Sequence, residues 1–194
     1  ITTRRPTATA GGSVEAGYFG GGEHRVRLTA NAPLSSDLLS RVTAFYAGYD
    51  GNIRNITENE DVNGYKRWGV RGQLLFQPAN TSLRLLVIGD YYKNNDDCCA
   101  EVIGTGPITA GVPVTNIISG ALPTPRGDKT REIAQNLVTR TRERGAGVSM
   151  QMDFDVGTHT LTSISAYRDW RNNEIRDGDF LPQPFANAGL NQLH

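Results

Sequence analysis

The sequence predicts an all-β fold, an antiparallel up-and-down transmembrane β-barrel present here as a partial barrel of about seven strands. Three observations predict it. Residues 66–76 and 82–92 alternate apolar and polar side chains with period two, each over about eleven residues, the reach of a tilted strand that crosses a bilayer. Tight turns and long connections sort to opposite ends of the strands. Finally, no apolar run approaches the roughly 18 residues of a membrane helix.

Composition fits this class. The 194 residues carry 20 basic and 20 acidic side chains, so no net field favours nucleic acid. Arginine dominates the basic set, 17 to 3 over lysine, and its planar fork suits lumen and interface positions. The 22 glycines suit short strands and turns better than a helical bundle. Mean hydropathy is negative, as expected where only alternate strand positions are apolar. The chain starts Ile-Thr-Thr-Arg-Arg-Pro without a signal peptide, and the expectation is a portion of a longer protein.

In chain order, residues 1–6 read as an extended segment stopped by proline, and 7–11 as a small-residue linker. The first strand, 12–19, sets Val14, Ala16 and Tyr18 against Ser13, Glu15 and Gly17, and the glycines of 20–23 make a turn. The second, 24–32, alternates most sharply, with Val26, Leu28, Ala30 and Ala32 opposite Arg25, Arg27, Thr29 and Asn31. A lipid-facing arginine near the midplane costs about 2–4 kcal/mol, so this register is firm and its arginines face the lumen.

After a turn at 33–37 comes the third strand, 38–49, with Val42, Ala44 and Tyr46 opposite Arg41, Thr43 and Phe45. A polar connection, 50–65, leads to the hairpin of 66–93. Its first arm sets Trp68, Val70, Leu74 and Phe76 against Arg67, Arg71, Gln73 and Leu75. Its second sets Leu83, Leu85, Val87 and Tyr91 against Arg84, Leu86, Ile88, Asp90 and Tyr92.

A long connection, 94–144, contains Gly-Pro and Pro-Thr-Pro breakers. It also suggests a short helix over 129–141, with Ile133, Ala134, Leu137 and Val138 as the apolar stripe. The sixth strand, 145–154, places Ala146, Val148, Met150, Met152 and Phe154 on one side. A turn at 155–158 and a seventh strand, 159–171, follow. The polar tail 172–194 is expected to hold no strand. The turns at 33–37, 77–81 and 155–158 share one end, and the connections 50–65, 94–144 and 172 onward share the other, where the turn at 20–23 is the one short connection. Short turns on the periplasmic side and long loops outside are the outer-membrane pattern.

Catalytic and metal chemistry finds little support. His24, His159 and His194 are scattered, and no Ser/His/Asp set, phosphate-binding glycine loop or carboxylate pair occurs, so neither an enzyme nor a cofactor is expected. Glu58, Glu60 and Asp61 lack the spacing of a calcium loop and read as a solvated loop. Asn55-Ile56-Thr57 and Asn80-Thr81-Ser82 match the glycosylation pattern, a match read as accidental. Cys98 and Cys99 are the only cysteines and have no His nearby, which disfavours metal. They are disulfide candidates, either bridged to each other in a strained ring or each to a partner elsewhere.

Several stretches resemble the barrel-entry region of TonB-dependent receptors, the outer-membrane active transporters of Gram-negative bacteria. Ile-Thr-Thr-Arg-Arg-Pro-Thr (1–7) resembles the end of the family's plug. Gly-Gly-Ser-Val-Glu-Ala-Gly-Tyr (11–18) resembles its first barrel strand, and Asn-Ala-Pro-Leu (31–34) a common periplasmic turn. Arg-Gly-Gln-Leu-Leu-Phe (71–76), Asp-Tyr-Tyr (90–92) and Asp-Cys-Cys (97–99) also fit.

The resemblance implies that residues 1–10 end a plug domain and linker, and that 11–194 are the N-terminal part of a barrel of about 22 strands. It implies energised uptake of a nutrient such as a siderophore, cobalamin or a carbohydrate. The implied partners are the plug and remaining barrel strands, the TonB complex through a segment absent here, outer-membrane lipid and lipopolysaccharide, and a small-molecule ligand. Glu15, Arg25, Arg27, Arg41, Arg67, Arg71, Arg84 and Asp90 are expected to face the lumen and dock the plug, the sharper alternative being that some steer an anionic substrate. The rival to the whole reading is a soluble β-sandwich or adhesin-like binding module.

Overall fold

In the computed structural model, residues 3–102, 129–178 and 182 are described, with 187–193 as backbone. The strands are β1 (Gly11–Tyr18), β2 (His24–Pro33), β3 (Leu38–Tyr49), β4 (Ile53–Asn55), β5 (Glu60–Val62) and β6 (Tyr65–Phe76). They continue as β7 (Leu83–Asp96), β8 (Glu132–Ile133), β9 (Arg140–Val156), β10 (His159–Asp177) and β11 (Asn187–Leu193). Among the described residues, eight form one antiparallel sheet in the order β1-β2-β3-β6-β7-β9-β10-β11, and β5-β4-β8 form a second, small one. Each strand of the large sheet pairs with its predecessor in that order, as up-and-down topology requires.

Alternation gives the large sheet two unlike faces. One carries Val14, Val26, Leu28, Val42, Val70, Leu74, Val148, Met150 and Leu161, all open. Val26 and Leu28 are 40% and 48% exposed, so among the described residues no second sheet covers them, as a sandwich would require. A continuous apolar face of this extent needs an apolar solvent or partner. Tyr46, Trp68, Tyr91 and Tyr167 lie toward its loop end, with Trp68 and Tyr91 rings 5.4 Å apart.

The tight ends are built locally. Leu34 N–H donates to the Leu38 carbonyl at 2.8 Å, and Gln77 N–H to that of Asp37 at 2.8 Å, which ties two neighbouring turns together. Between β9 and β10, Gly157 takes a φ of +60° that a side chain would resist.

Several expectations need correction. No helix spans 129–141. Glu132 and Ile133 form β8, which pairs in parallel with Arg54 and Asn55, and Ile133, Ala134 and Val138 are buried against other loop residues rather than along a helical stripe. The connection 50–65 contains the β4–β5 hairpin. The connection 94–144 is shorter than expected, because β7 runs to Asp96 and β9 starts at Arg140; its Gly-Pro and Pro-Thr-Pro breakers lie outside the described residues. The tail is not strandless. β10 continues to Asp177, and β11 pairs along Arg171–Asp177, which makes the eighth strand. The cause is common to all three extensions: there both faces of the sheet are polar, so the strands lose their alternation signal.

The loops have a core of their own. Val62, Ala100, Ile133 and Val138 are buried together, with Ile53 and Val102 against them. Asn55 is fully buried, donating to the Gln135 carbonyl at 3.0 Å and accepting from its N–H at 3.2 Å. Asn63 clamps Ala100 in the same two-way manner, at 2.9 and 2.7 Å. The connections after β3 and after β7 are thereby one packed unit. Cys98 and Cys99, bonded to each other, stand just before that clamp.

Candidate functional site

The polar face is the candidate site. Its geometry follows from register. From the turn end toward the loops, successive cross-strand rows carry Leu39–Leu75–Leu86, then Asn31–Arg41–Gln73, then Thr29–Thr43–Arg71–Asp90–Gly147–Arg168. Next come Glu15–Arg27–Phe45–Gly69–Tyr92–Gly145–Trp170 and Arg25–Ala47–Arg67–Asn94–Glu143. All eight residues expected to share the lumen face share this face. The leucine row is the driest part of the sheet, at 2%, 6% and 7% exposure.

The segment before β1 crosses this face. Asn31 accepts from Thr7 N–H at 2.9 Å and donates to the carbonyls of Thr7 and Thr9 at 2.8 and 2.7 Å. Further along, Gln73 donates to the Arg4 carbonyl at 3.2 Å, and Pro6 between them is buried. Asn31 and Gln73 flank Arg41 in one row, so the entering chain passes over it.

Most charges on the face are paired. Arg67 binds Asp96 with two bonds, at 2.9 and 2.6 Å, and stacks its guanidinium over the Tyr65 ring at 4.5 Å. Arg168 binds both oxygens of Asp90 at 2.9 Å. Arg27 meets Glu15 at 3.6 Å, Arg84 meets Asp155 at 3.4 Å, and Arg25 bonds Glu23. Arg41 and Arg71 differ. Neither has an ion-pair partner among the described residues, and the Nε of Arg71 is buried without an acceptor. Asp90 lies directly opposite Arg71 in register but is taken by Arg168. A cavity of about 740 Å³ opens here, and its walls carry five guanidiniums, from Arg4, Arg27, Arg41, Arg71 and Arg168, against the carboxylates of Glu15 and Asp90. The surplus attracts an anion.

Nearer the loops lies a polar and aromatic cluster that the sequence reading missed. Glu143 accepts from Tyr92 at 2.7 Å, from Asn94 at 2.9 Å and from Trp170 at 2.5 Å. The sequence pattern places Glu143 in a connection, and only the β7–β9–β10 register brings the four together. Gly145 makes room for it: a Cβ there would stand 2.4 Å from Tyr92 Cε1. Gly145→Val is therefore expected to push the Tyr92 ring off Glu143 and to cost about 1–3 kcal/mol in a denaturant titration, as overpacking does. Gly72→Ala, with open space around its Cβ, is expected to change nothing.

No family model matches the sequence, and no curated protein is similar to it in sequence. Solved structures are similar in fold. The ferric yersiniabactin uptake receptor FyuA of Yersinia pestis matches 91% of this chain with a TM-score of 0.71 at 14% identity. The ferric-catecholate import receptor Fiu of E. coli matches 98% with 0.72 at 13% identity, and the siderophore receptor PiuA of Acinetobacter baumannii 89% with 0.61 at 14% identity. At such identities the likeness is one of fold. The match spans 25% of FyuA, 30% of Fiu and 23% of PiuA. The chain has the fold of part of an up-and-down β-barrel, the all-β class expected from its alternation.

Proposed function

We propose that this chain is the N-terminal barrel portion of a TonB-dependent outer-membrane receptor that imports a nutrient, with a siderophore first among the candidates. One observation carries the reading. A single sheet shows a bare apolar face on one side, and on the other a charged face that the preceding chain segment crosses. A wall between hydrocarbon and an occupied lumen has that form. The likeness in fold to three siderophore or iron-complex receptors supports the ligand class. Residues 1–10 then lead from the plug into the barrel, and strands beyond this chain pair the open edges of β1 and β11, since hydrocarbon tolerates no unpaired backbone.

In this role Arg41 and Arg71 hold acidic groups of the plug, while the ion-paired arginines and their carboxylates keep the wall rigid. The test uses the intact polypeptide in outer membranes of an iron-starved cell. Growth on a ferric siderophore as sole iron source is expected to require the protein, and Arg41→Glu with Arg71→Glu is expected to leave it in the membrane yet abolish that growth. Growth unchanged by deletion on every ferric siderophore tried overturns the ligand class. Recovery of the protein in the water-soluble fraction overturns the receptor.

A further inference from the structure

Two connections of the chain meet at one asparagine. Asn63 lies between β5 and β6 at a φ of +67°, a left-handed conformation that asparagine tolerates and most side chains resist. Its backbone N–H donates to the Asp97 carbonyl at 3.0 Å, and Asp97 N–H donates to the Gly64 carbonyl at 3.0 Å, one step past the end of the β6–β7 ladder. Its carboxamide donates to the Ala100 carbonyl at 2.9 Å and accepts from Ala100 N–H at 2.7 Å. One residue therefore holds both Asp97 and Ala100. Between those two stand only Cys98 and Cys99, bonded to each other. Ala100 is 5% exposed and enters the loop core with Val62, Ile133 and Val138. Cys98 is partly buried, and Cys99 is exposed.

A bond between neighbouring side chains closes a small ring around their shared peptide, so the backbone of both residues loses freedom. Here the ring fixes the direction in which the chain leaves the ladder, and Ala100 is delivered to the Asn63 carboxamide. With the ring open, the two Asn63–Ala100 hydrogen bonds must themselves offset the entropy of ordering residues 98 and 99. That cost is comparable to what two such bonds contribute. We infer that the Cys98–Cys99 bridge is a redox latch. Oxidised, it locks the connections after β3 and after β7 into one packed unit; a dithiol reductant releases them. The exchange balances. A reagent thiolate attacks the exposed Cys99 sulfur, the S–S bond breaks and Cys98 leaves as the thiolate. The reagent's second thiolate then displaces Cys99 and closes the reagent's own disulfide. Two electrons pass to the cysteines, and the reagent's two thiol protons end on them. The loop core loses Ala100 as an anchored neighbour, while the β6–β7 ladder, whose bonds do not pass through the bridge, remains. The latch stands on the geometry of the loops alone, whichever solvent meets the sheet.

The experiment follows amide exchange of the intact polypeptide in bilayers, with and without dithiothreitol. Thiol labelling after reduction is expected to find both cysteines free, and a bridge that resists dithiothreitol in the folded protein overturns the latch. Ala100 N–H, whose acceptor is the Asn63 carboxamide oxygen, is the reporter. Reduction is expected to speed its exchange about tenfold, the contribution of one or two hydrogen bonds, together with exchange across residues 50–64 and 97–102. Strands β6, β7 and β9 keep their protection. Cys98→Ser/Cys99→Ser is expected to exchange at the reduced parent's rate with or without reductant. Asn63→Gly keeps the left-handed backbone and removes the carboxamide, so it is expected to be fast already and to gain nothing from reduction. Three results overturn the latch: unchanged exchange at Ala100 on reduction, a reductant effect that persists in the double serine variant, or the same increase in Asn63→Gly as in the parent. Loss of protection throughout the sheet does so as well. Each of these leaves the receptor reading standing.

Discussion

Replacing Met150 by arginine is expected to destabilise the sheet by about 2–4 kcal/mol in a bilayer, the cost of a lipid-facing arginine near the midplane. Met150 lies in the middle of the outward run of β9, from Ala146 to Phe154, between Val87 and Ser165, and is 41% exposed with no polar partner. An arginine there can reach water only by stretching past several outward rows. Gln151→Arg, one residue on, is the matched control. Gln151 faces the other way and bonds Asp153 at 3.1 Å, so a guanidinium there gains a carboxylate and is expected to cost under about 1 kcal/mol. Denaturant unfolding of the intact polypeptide in bilayers reads both. Similar losses for the two variants would remove the sidedness on which the receptor reading stands.

Ile133→Ala is expected to cost about 2–5 kcal/mol, as buried isoleucine truncations do, but the loss falls on the loops. Ile133 is 3% exposed and lies in the loop core with Val62, Ala100 and Val138. Its carbonyl accepts from Ile56 N–H at 2.9 Å, so losing its side chain also loosens the β4–β8 pairing. The sheet is held by its own ladders and does not share this core. Amide exchange is the measurement that separates the two: residues 50–64 and 97–102 are expected to exchange faster, while amides of β6, β7 and β9 stay protected. Global loss of protection would mean that the loop unit and the sheet fold as one.

Where the sheet has one bare apolar face and one charged face, each strand writes that contrast into its alternation. The faces of Arg25 and Arg27, of Trp68 and Val70, and of Met150 and Gln151 were readable for that reason. Beyond that stretch both faces are polar, and Asn94–Asn95, Arg140–Arg144, Asn172–Asp177 and β11 read as loop although they continue the ladder. The spacing of Ile133, Ala134 and Val138 fits a helix, yet their burial comes from β4 and Ala100, distant in sequence. Pairing choices were the least readable. Arg71 and Asp90 stand opposite one another, but whether Asp90 takes Arg71 or Arg168 depends on reach across β9, where Gly147 leaves space under the Arg168 side chain. The same applies to Glu143, which gathers donors from β7 and β10 only once three strands are aligned.

The sidedness of β2 tests the central claim most directly. Single cysteines at Arg27 and Leu28, in a background with Cys98 and Cys99 replaced, carry an environment-sensitive fluorophore in bilayers doped with nitroxide lipids. The account predicts strong lipid quenching at Leu28 and none at Arg27, with a water-soluble quencher giving the reverse. Two adjacent positions that respond alike, both to lipid or both to water, would contradict it.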